Sequence, residues 1–309
     1  MLTTDTQAAA IPTIIANKAL GKFAAYMNLA KTVTRDFEIT DAQEGETIQV
    51  TKRGVVTANL KGETDDVVVQ NPSLSTVPVT LDKHFEVTFR MSDVLKAVKA
   101  KGIDAGLEGY AEDAAIALAE KVESTLAGLY ASLTATPIAW DGTSLATKKA
   151  KLMAIRNYFT TNKVPLALQK YMYVDGNLAG DILEEDAFTS YQNTGNGEQF
   201  ETGQLTRPLY GIKPFESQLV PTTGSAPTVH HGIAYTKGAF VLATRPLPAV
   251  DAGLGAQTSV IQNDDLGVGL RVVRSYNTTK LAEQLTLDIL MGAAVVDQRQ
   301  AVEVQNSVA

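Results

Sequence analysis

The spacing of apolar residues changes twice along the first 90 positions. From about Thr13 to Leu29, the residues Ile14, Ile15, Leu20, Phe23 and Met27 hold a roughly helical spacing. This predicts a helix in an N-terminal segment, either packed on its own domain or reaching a neighbouring subunit. Further on the period falls to two: Ile48 with Val50, then Val77, Val79 and Leu81, then Phe85, Val87 and Phe89. Such alternation marks strands with one buried face. Between these strands runs Val55 to Thr76, a stretch that contains Gly62, Asp65, Asp66 and Asn71-Pro72. So long a connection is unusual inside a compact domain, and a protruding two-stranded ribbon fits it. An isolated ribbon is marginal in water, so this one is expected to lean on another chain.

The next segment predicts a long helix. Ser92 is a candidate N-cap with Asp93 in the first turn, and a first helix is expected to stop near Gly102. From Ile103 or Asp104 onward, Leu107, Ala111, Ala114, Leu118, Val122, Leu126, Leu129 and Leu133 step by three or four residues along one face. Glu108, Glu112, Asp113, Glu120 and Glu123 are expected on the opposite, polar face. A helix of about 30 residues spans roughly 45 Å. No second helix of this length is visible, so it reads as a spine rather than a bundle partner.

After Thr136-Pro137 the pattern is mixed. Leu145 to Thr161 predicts a helix with Leu152, Ile155, Tyr158 and Phe159 inward, Tyr171 to Val174 a strand, and Asn177 to Phe188 a short helix. A polar loop follows from Tyr191 to Gly197. Tyr210 to Val220 predicts a strand whose Pro214 places it at a sheet edge. Thr222 to His231 reads as a loop, and Ile233 to Thr244 as strand with a turn at Lys237-Gly238. Gly267 to Tyr276 and Leu281 to Met291 close the chain with further strands. No internal repeat, low-complexity tract or linker is visible.

Composition narrows the class. Of 309 residues 45% are hydrophobic and 20% charged, enough to bury a sizeable core. The net charge is −7 and no basic patch is visible, unlike a dedicated nucleic-acid binder. The absence of cysteine excludes disulfides, thiolate metal sites and cysteine nucleophiles. The most apolar short run, Ile289 to Val296, is far below the roughly 20 residues of a membrane-spanning helix. No basic, then apolar, export signal opens the chain.

Candidate chemistry is sparse. His84 lies between strand-like runs, and His230-His231 falls in an expected loop where adjacent side chains point apart, poor geometry for sharing a metal. Glu184, Glu185 and Asp186 read as a solvated acidic cluster. Gly195-Asn196-Gly197, Gly253-Leu254-Gly255 and Gly267-Val268-Gly269 fit neither a phosphate loop nor a dinucleotide turn. Ser73, Ser75, Ser190 and Ser217 lack a nucleophile-elbow context. Lys96, Lys99 and Lys101 cluster on the short helix before the spine, as a solvated face or a contact to phosphates or an acidic partner. No catalytic residue, metal site or cofactor is expected.

The order of elements resembles a known family. Ile11-Pro12 through Leu29-Ala30 to Thr34-Arg35-Asp36-Phe37, Gly45-Glu46-Thr47-Ile48-Gln49-Val50, and Tyr110 through Ala119 to Leu129-Tyr130 carry the likeness. So do Gly203-Gln204-Leu205, Leu209 through Ser217, Val273-Arg274-Ser275-Tyr276 and Leu287 through Gly292. In this order they are similar to the major capsid proteins of tailed bacteriophages, with the Hong Kong 97-type fold, nearest the coat proteins of short-tailed phages.

The resemblance implies an α+β fold with an N-arm (1–45), an extended β-ribbon loop (46–90), and a peripheral domain with the spine helix (91–139). It further implies a mixed α/β axial domain (140–265), then returning peripheral strands and the C-terminus (266–309). It implies a non-enzymatic coat protein that self-assembles as pentamers and hexamers into an icosahedral virion shell. That shell encloses double-stranded DNA without sequence-specific binding, and assembles in the host cytoplasm. A separate scaffolding protein, a portal and a cement protein are implied partners; a membrane is not. Ile14, Phe23, Val55, Val67, Val68 and Val69 are the expected inter-subunit contacts, and Gly54, Gly62, Gly102 and Gly109 the expected hinges that fit one subunit to five- and six-fold surroundings. Competing readings are an encapsulin-like nanocompartment of the same fold, an α/β enzyme with a dimerisation ribbon, and a tail-tube or decoration protein, which the long spine opposes.

Overall fold

The computed structural model describes residues 15–24, 26–35, 47–53, 56–64, 66–70, 74–93, 103–140, 144–184, 205, 208–225, 227–250, 256–263 and 268–308. Helix α1 (15–24) buries Ile15, Ala16, Ala19, Leu20 and Phe23, an i, i+4 stripe along one face. Met27 and the short helix α2 (Leu29–Thr32) continue the same apolar surface. The chain then joins a sheet edge: Thr34 N–H donates to Phe240 O at 3.2 Å, and Leu242 N–H donates to Thr34 O at 3.0 Å.

Strands β1 (Thr47–Arg53) and β2 (Leu74–Thr80) form the expected antiparallel ribbon, from Thr47 opposite Thr80 to Arg53 opposite Leu74. Strand β3 (Lys83–Ser92) follows, so Ser92 ends a strand instead of capping a helix. The short helix expected from there to Gly102, with Lys96, Lys99 and Lys101, lies outside the described residues.

Helix α3 (Ile103–Ala127) is 25 residues long and runs into a 3-10 turn at Gly128–Ser132, which gives the expected spine. Ala111, Ala114, Leu118, Val122 and Leu126 are buried, with Leu129 and Leu133 packed against the same core. Glu123 corrects the expected polar face, because it is only 2% exposed.

Strand β4 (Ile138–Trp140) leads to helix α4 (Leu145–Thr161), whose observed bounds match the sequence pattern. The reason is local: Ser144 and Thr147 form a reciprocal capping box at its start. Strand β5 (Lys170–Val174) and helix α5 (Gly176–Leu183) follow. Tyr210 and Gly211 both have positive φ, 50° and 81°, in the two-residue turn that returns Leu209 against Ile212. Beyond it come β6 (Ile212–Glu216), β7 (Thr222–Thr223), β8 (Thr228–Thr236), β9 (Phe240–Arg245), β10 (Ala256–Asn263), β11 (Val268–Asn277), β12 (Ala282–Val295) and β13 (Ala301–Val308). His230 and His231 therefore lie in a strand and not in a solvated loop. Backbone pairing with β13 overrides the turn-like composition before them.

Two larger sheets result. One has the order β10-β11-β12-β3, with β9 also paired to β12; the other has the order β4-β13-β8-β5-β6, with β7 paired to β8. Pro214 sits on edge strand β6, as its missing N–H requires. The pairing differs from the expected segmentation at two places. Strands β9 and β10 belong with the spine-side sheet, and β13 returns to the other sheet beside β8 and β4. The main core lies between α1, α2, α3 and the first sheet, and it continues to one face of the second sheet through Tyr173, Ile233 and Tyr235. The opposite face, with Met172, Val174, Ala234, Val302 and Val304, is covered by α4 and α5.

Candidate assembly surface

The ribbon ends in a stretch with little buried surface. Val56 is 63% exposed, Leu60 fully exposed, and Val67, Val68 and Val69 are 70%, 65% and 81% exposed. Successive apolar side chains in the open are costly for a lone subunit and mark a contact surface. The two limbs of this stretch are tied together. Thr57 N–H donates to Gln70 Oε1 at 3.0 Å, and Gln70 Nε2 donates back to Thr57 O at 2.5 Å.

The root of the ribbon is held firmly. Val79 and Leu81 are buried with Val241, Ala243 and Leu290, and Ile48 and Val50 pack on that cluster. Gly292 on β12 lets the backbone of Thr80 pass directly over it, because a Cβ there would overlap the Thr80 carbonyl oxygen. Lys52 reaches from β1 to Asp297 at 3.0 Å.

Asp297 belongs to a junction where several modules meet. It precedes the 3-10 turn Gln298–Gln300 and also holds Arg299 and Gln300. Gln298 ties to the end of the spine: its Oε1 accepts Thr134 N–H at 3.1 Å and its Nε2 donates to Ser132 O at 2.9 Å. Tyr158 of α4 donates to the carbonyls of Gln298 and Ala301, both at 3.0 Å. Burial by itself would raise the Asp297 pKa, but Arg299, Lys52 and Gln300 hold the carboxyl well below the usual carboxylate range.

The expected site residues fall out unevenly. Val67, Val68 and Val69 lie together on the exposed stretch. Phe23 is fully buried in its own subunit's core, which corrects its expected role as a contact, since a side chain already packed against α3 and its neighbours has no surface to offer. Gly62 lies just before a turn in the exposed stretch. Gly109 lies within the unbroken helix α3, with open space where a Cβ would be. Ile14, Gly54, Val55 and Gly102 lie outside the described residues. Lys52 and Asp297 were not singled out from sequence, and Gly292 and Glu123 entered only as the end of a motif and as part of a polar face. The first two are 245 positions apart, and nothing local signals their pairing.

The histidines are structural. His84 lies 3.2 Å from Asp288, which Arg271 also holds. His230 faces Asp175 at 3.6 Å, while His231 meets Glu303 at 2.5 Å and Thr223 at 2.7 Å and stacks on Tyr130. Glu184 pairs with Lys148 at 3.3 Å; Glu185 and Asp186 lie outside the described residues. Among the described residues no group of three or more His, Asp or Glu side chains could hold a metal, and no helix is long and apolar enough to cross a membrane.

A spine helix laid on one sheet, a second sheet with its own helices, and a rooted ribbon with an exposed apolar end define a shell-building subunit. The phage capsid protein family matches residues 75–277, and the chain belongs to that family. No curated protein matches the chain. Among solved structures, a chain of Mycobacterium phage Che8 is similar over 91% of this chain and 90% of its own, with 16% identity and a TM-score of 0.61. A chain from the acid-stable capsid of Helicobacter pylori bacteriophage KHP30 covers 92% and 91%, with 10% identity and a TM-score of 0.59. One from the capsid of Cyanophage P-SCSP1u covers 89% and 93%, with 13% identity and a TM-score of 0.57. The fold is therefore α+β of the Hong Kong 97 type, and the protein is a major capsid protein, a component of the virion shell.

Proposed function

We propose that this subunit closes into an icosahedral shell of pentamers and hexamers around double-stranded DNA, and that its exposed ribbon lies over a neighbouring subunit. The observation that carries the reading is the run Val67, Val68 and Val69, left in the open on a ribbon whose root is tied by Lys52, Val79 and Leu81. A rooted ribbon transmits force to its own subunit while its end contributes apolar contact to the next. In this reading Gly54, Gly62, Gly102 and Gly109 serve as hinges that adapt one subunit to five- and six-fold surroundings. Ile14 and Val55 join the valines as contacts.

In this reading residues 1–45 are an arm whose helix stays at home, and 46–90 the extended loop. The peripheral part gathers the spine and strands β9 to β12, with β3, at the end of the extended loop, paired to β12. The axial part gathers β4 to β8 with β13. The role is structural rather than enzymatic, and assembly takes place in the host cytoplasm with a separate scaffolding protein and a portal; a cement protein is a further partner. The family match to phage capsids favours this over a cargo-filled nanocompartment.

Negative-stain electron microscopy tests the proposal on the purified chain, alone and with a candidate scaffolding protein. Closed shells or curved hexagonal sheets are expected. Monomers and dimers alone, across salt and protein concentration, would overturn it.

A further inference from the structure

We propose that the outward face of helix α4 is where the shell grips duplex DNA, through the phosphate backbone. This rests on the reading that the shell encloses DNA. Helix α4 carries Lys148, Lys149, Lys151 and Arg156 and no acidic residue, within a chain of net charge −7. Composition had suggested no basic patch; the fold makes one by turning a single helix outward.

Leu152, Ile155 and Phe159 seat the helix on its sheet. Lys148 is buried and spent on Asp181 at 3.4 Å and Glu184 at 3.3 Å, which ties α4 to α5. Lys149 and Lys151 are half-buried, and Arg156 and Lys163 are exposed. Among the described residues none of these four makes an ion pair.

Lys149, Arg156 and Lys163 recur every seventh position. Seven residues make nearly two helical turns, so Lys149 and Arg156 lie on one line, about 10.5 Å apart. Lys163 stands just past the helix end, in a turn with φ of 56°. Burial first, and the positive charge of Arg156 second, lower the pKa of the nearby Lys170 ammonium, so the uncompensated charge is felt locally.

The helix itself favours phosphate over protein. Its exposed neighbours are Ala146, Ala150, Asn157, Thr160 and Thr161, none large and apolar; the exposed Leu166 and Leu168 stand past its end, in the turn after Lys163. No exposed aromatic residue stands on the helix to stack on bases, so the contact is to backbone and independent of sequence. The net acidic charge of the subunit opposes DNA binding over its surface as a whole, so a local excess of cations is needed for any grip.

The test measures binding of a fluorescent duplex to the full-length, unassembled chain by anisotropy across a salt series. Wild type is expected to bind at low salt. K149Q/R156Q/K163N, which keeps a residue tolerant of positive φ at 163, is expected to lose at least about tenfold in affinity and to flatten the logarithmic salt slope by roughly 2–3, near 0.9 per lost phosphate contact. K61Q/K83Q/K121Q changes net charge equally and is expected to bind within about twofold of wild type.

Absence of wild-type binding, an unaffected α4 variant, or an equal loss in the control variant would each overturn the proposal. So would tighter binding of polyglutamate than of the duplex at matched charge, which would point to an acidic protein partner. Matching thermal melts confirm that the variants fold. Shells formed normally by an α4 variant that has lost no DNA affinity would sink this inference while leaving the proposed function intact.

Discussion

Glu123 of the spine helix accepts the backbone N–H of Leu29 at 2.9 Å, and that of Ala30 at 3.0 Å, across more than ninety positions of sequence. These N–H groups belong to the start of α2, where Asn28 makes no side-chain cap. A carboxylate from another helix thus satisfies donors that local capping leaves open. Burial raises the Glu123 pKa above its ordinary 4.5, against the opposing pull of the backbone donors of Ala30, Leu29 and Asn28 and the charge of Lys31.

Glu123→Ala is therefore expected to destabilise the unassembled chain by about 2–4 kcal/mol, because two buried N–H groups lose a charged acceptor. Denaturant melts measure this. A loss below about 0.5 kcal/mol would show that water or another group replaces the carboxylate.

The His231–Glu303 pair predicts a second buried dependence. His231→Phe keeps an aromatic ring against Tyr130 but leaves Glu303, among the described residues, with the Gln305 amide at 3.0 Å alone. Leaving a buried acceptor short of its hydrogen-bond partner costs about 1–3 kcal/mol. The double change His231→Phe with Glu303→Leu is expected to recover much of that loss in the same melts, and a double variant no better than the single would count against a pair acting as a unit.

Asp297 gives a pH prediction. Its folded pKa is depressed, so its contribution is present above the unfolded value of 3.8 and is lost as pH falls toward the folded value. The stability difference between wild type and Asp297→Asn is expected to be constant near neutrality and to shrink below about pH 4. A difference that persists unchanged to pH 2 would contradict the assigned ionisation. Hydrogen exchange at the β1–β2 root is expected to accelerate in the variant, since Lys52 loses its anchor.

Gly292→Ala is expected to cost about 2–3 kcal/mol, because the added methyl meets backbone at Thr80 and not a side chain that can turn away. Gly180→Ala, at an open position in α5, is the control and is expected to be neutral or slightly stabilising. Equal melts for both variants would refute the close approach.

V67S/V68S/V69S is expected to leave the melt of the unassembled subunit nearly unchanged, because the three side chains are exposed already. Shell formation, followed by light scattering, is expected to need a higher protein concentration. An unchanged threshold would remove these valines from the inter-subunit contact.

Much of the fold was legible because its cause is local. Alternation wrote β1 to β3. The capping box at Ser144 and the inward stripe of Leu152, Ile155 and Phe159 wrote α4, and the three-four spacing from Ala111 to Leu126 wrote the spine. The order of these segments resembles that of tailed-phage capsid proteins, and that resemblance pointed to a shell subunit.

What the sequence could not determine was which surfaces meet. Phe23 looked available to a neighbour until α1 folded onto α3, and Glu123 looked solvated until α2 arrived above it. His230 and His231 looked like loop residues until β13 paired with them. Lys149, Arg156 and Lys163 became a face only when the apolar side of α4 was seated on its sheet. Period and capping act over a few residues and can be read one segment at a time. Burial, strand pairing and charge compensation depend on groups tens to hundreds of positions away, and only the folded chain brings those together.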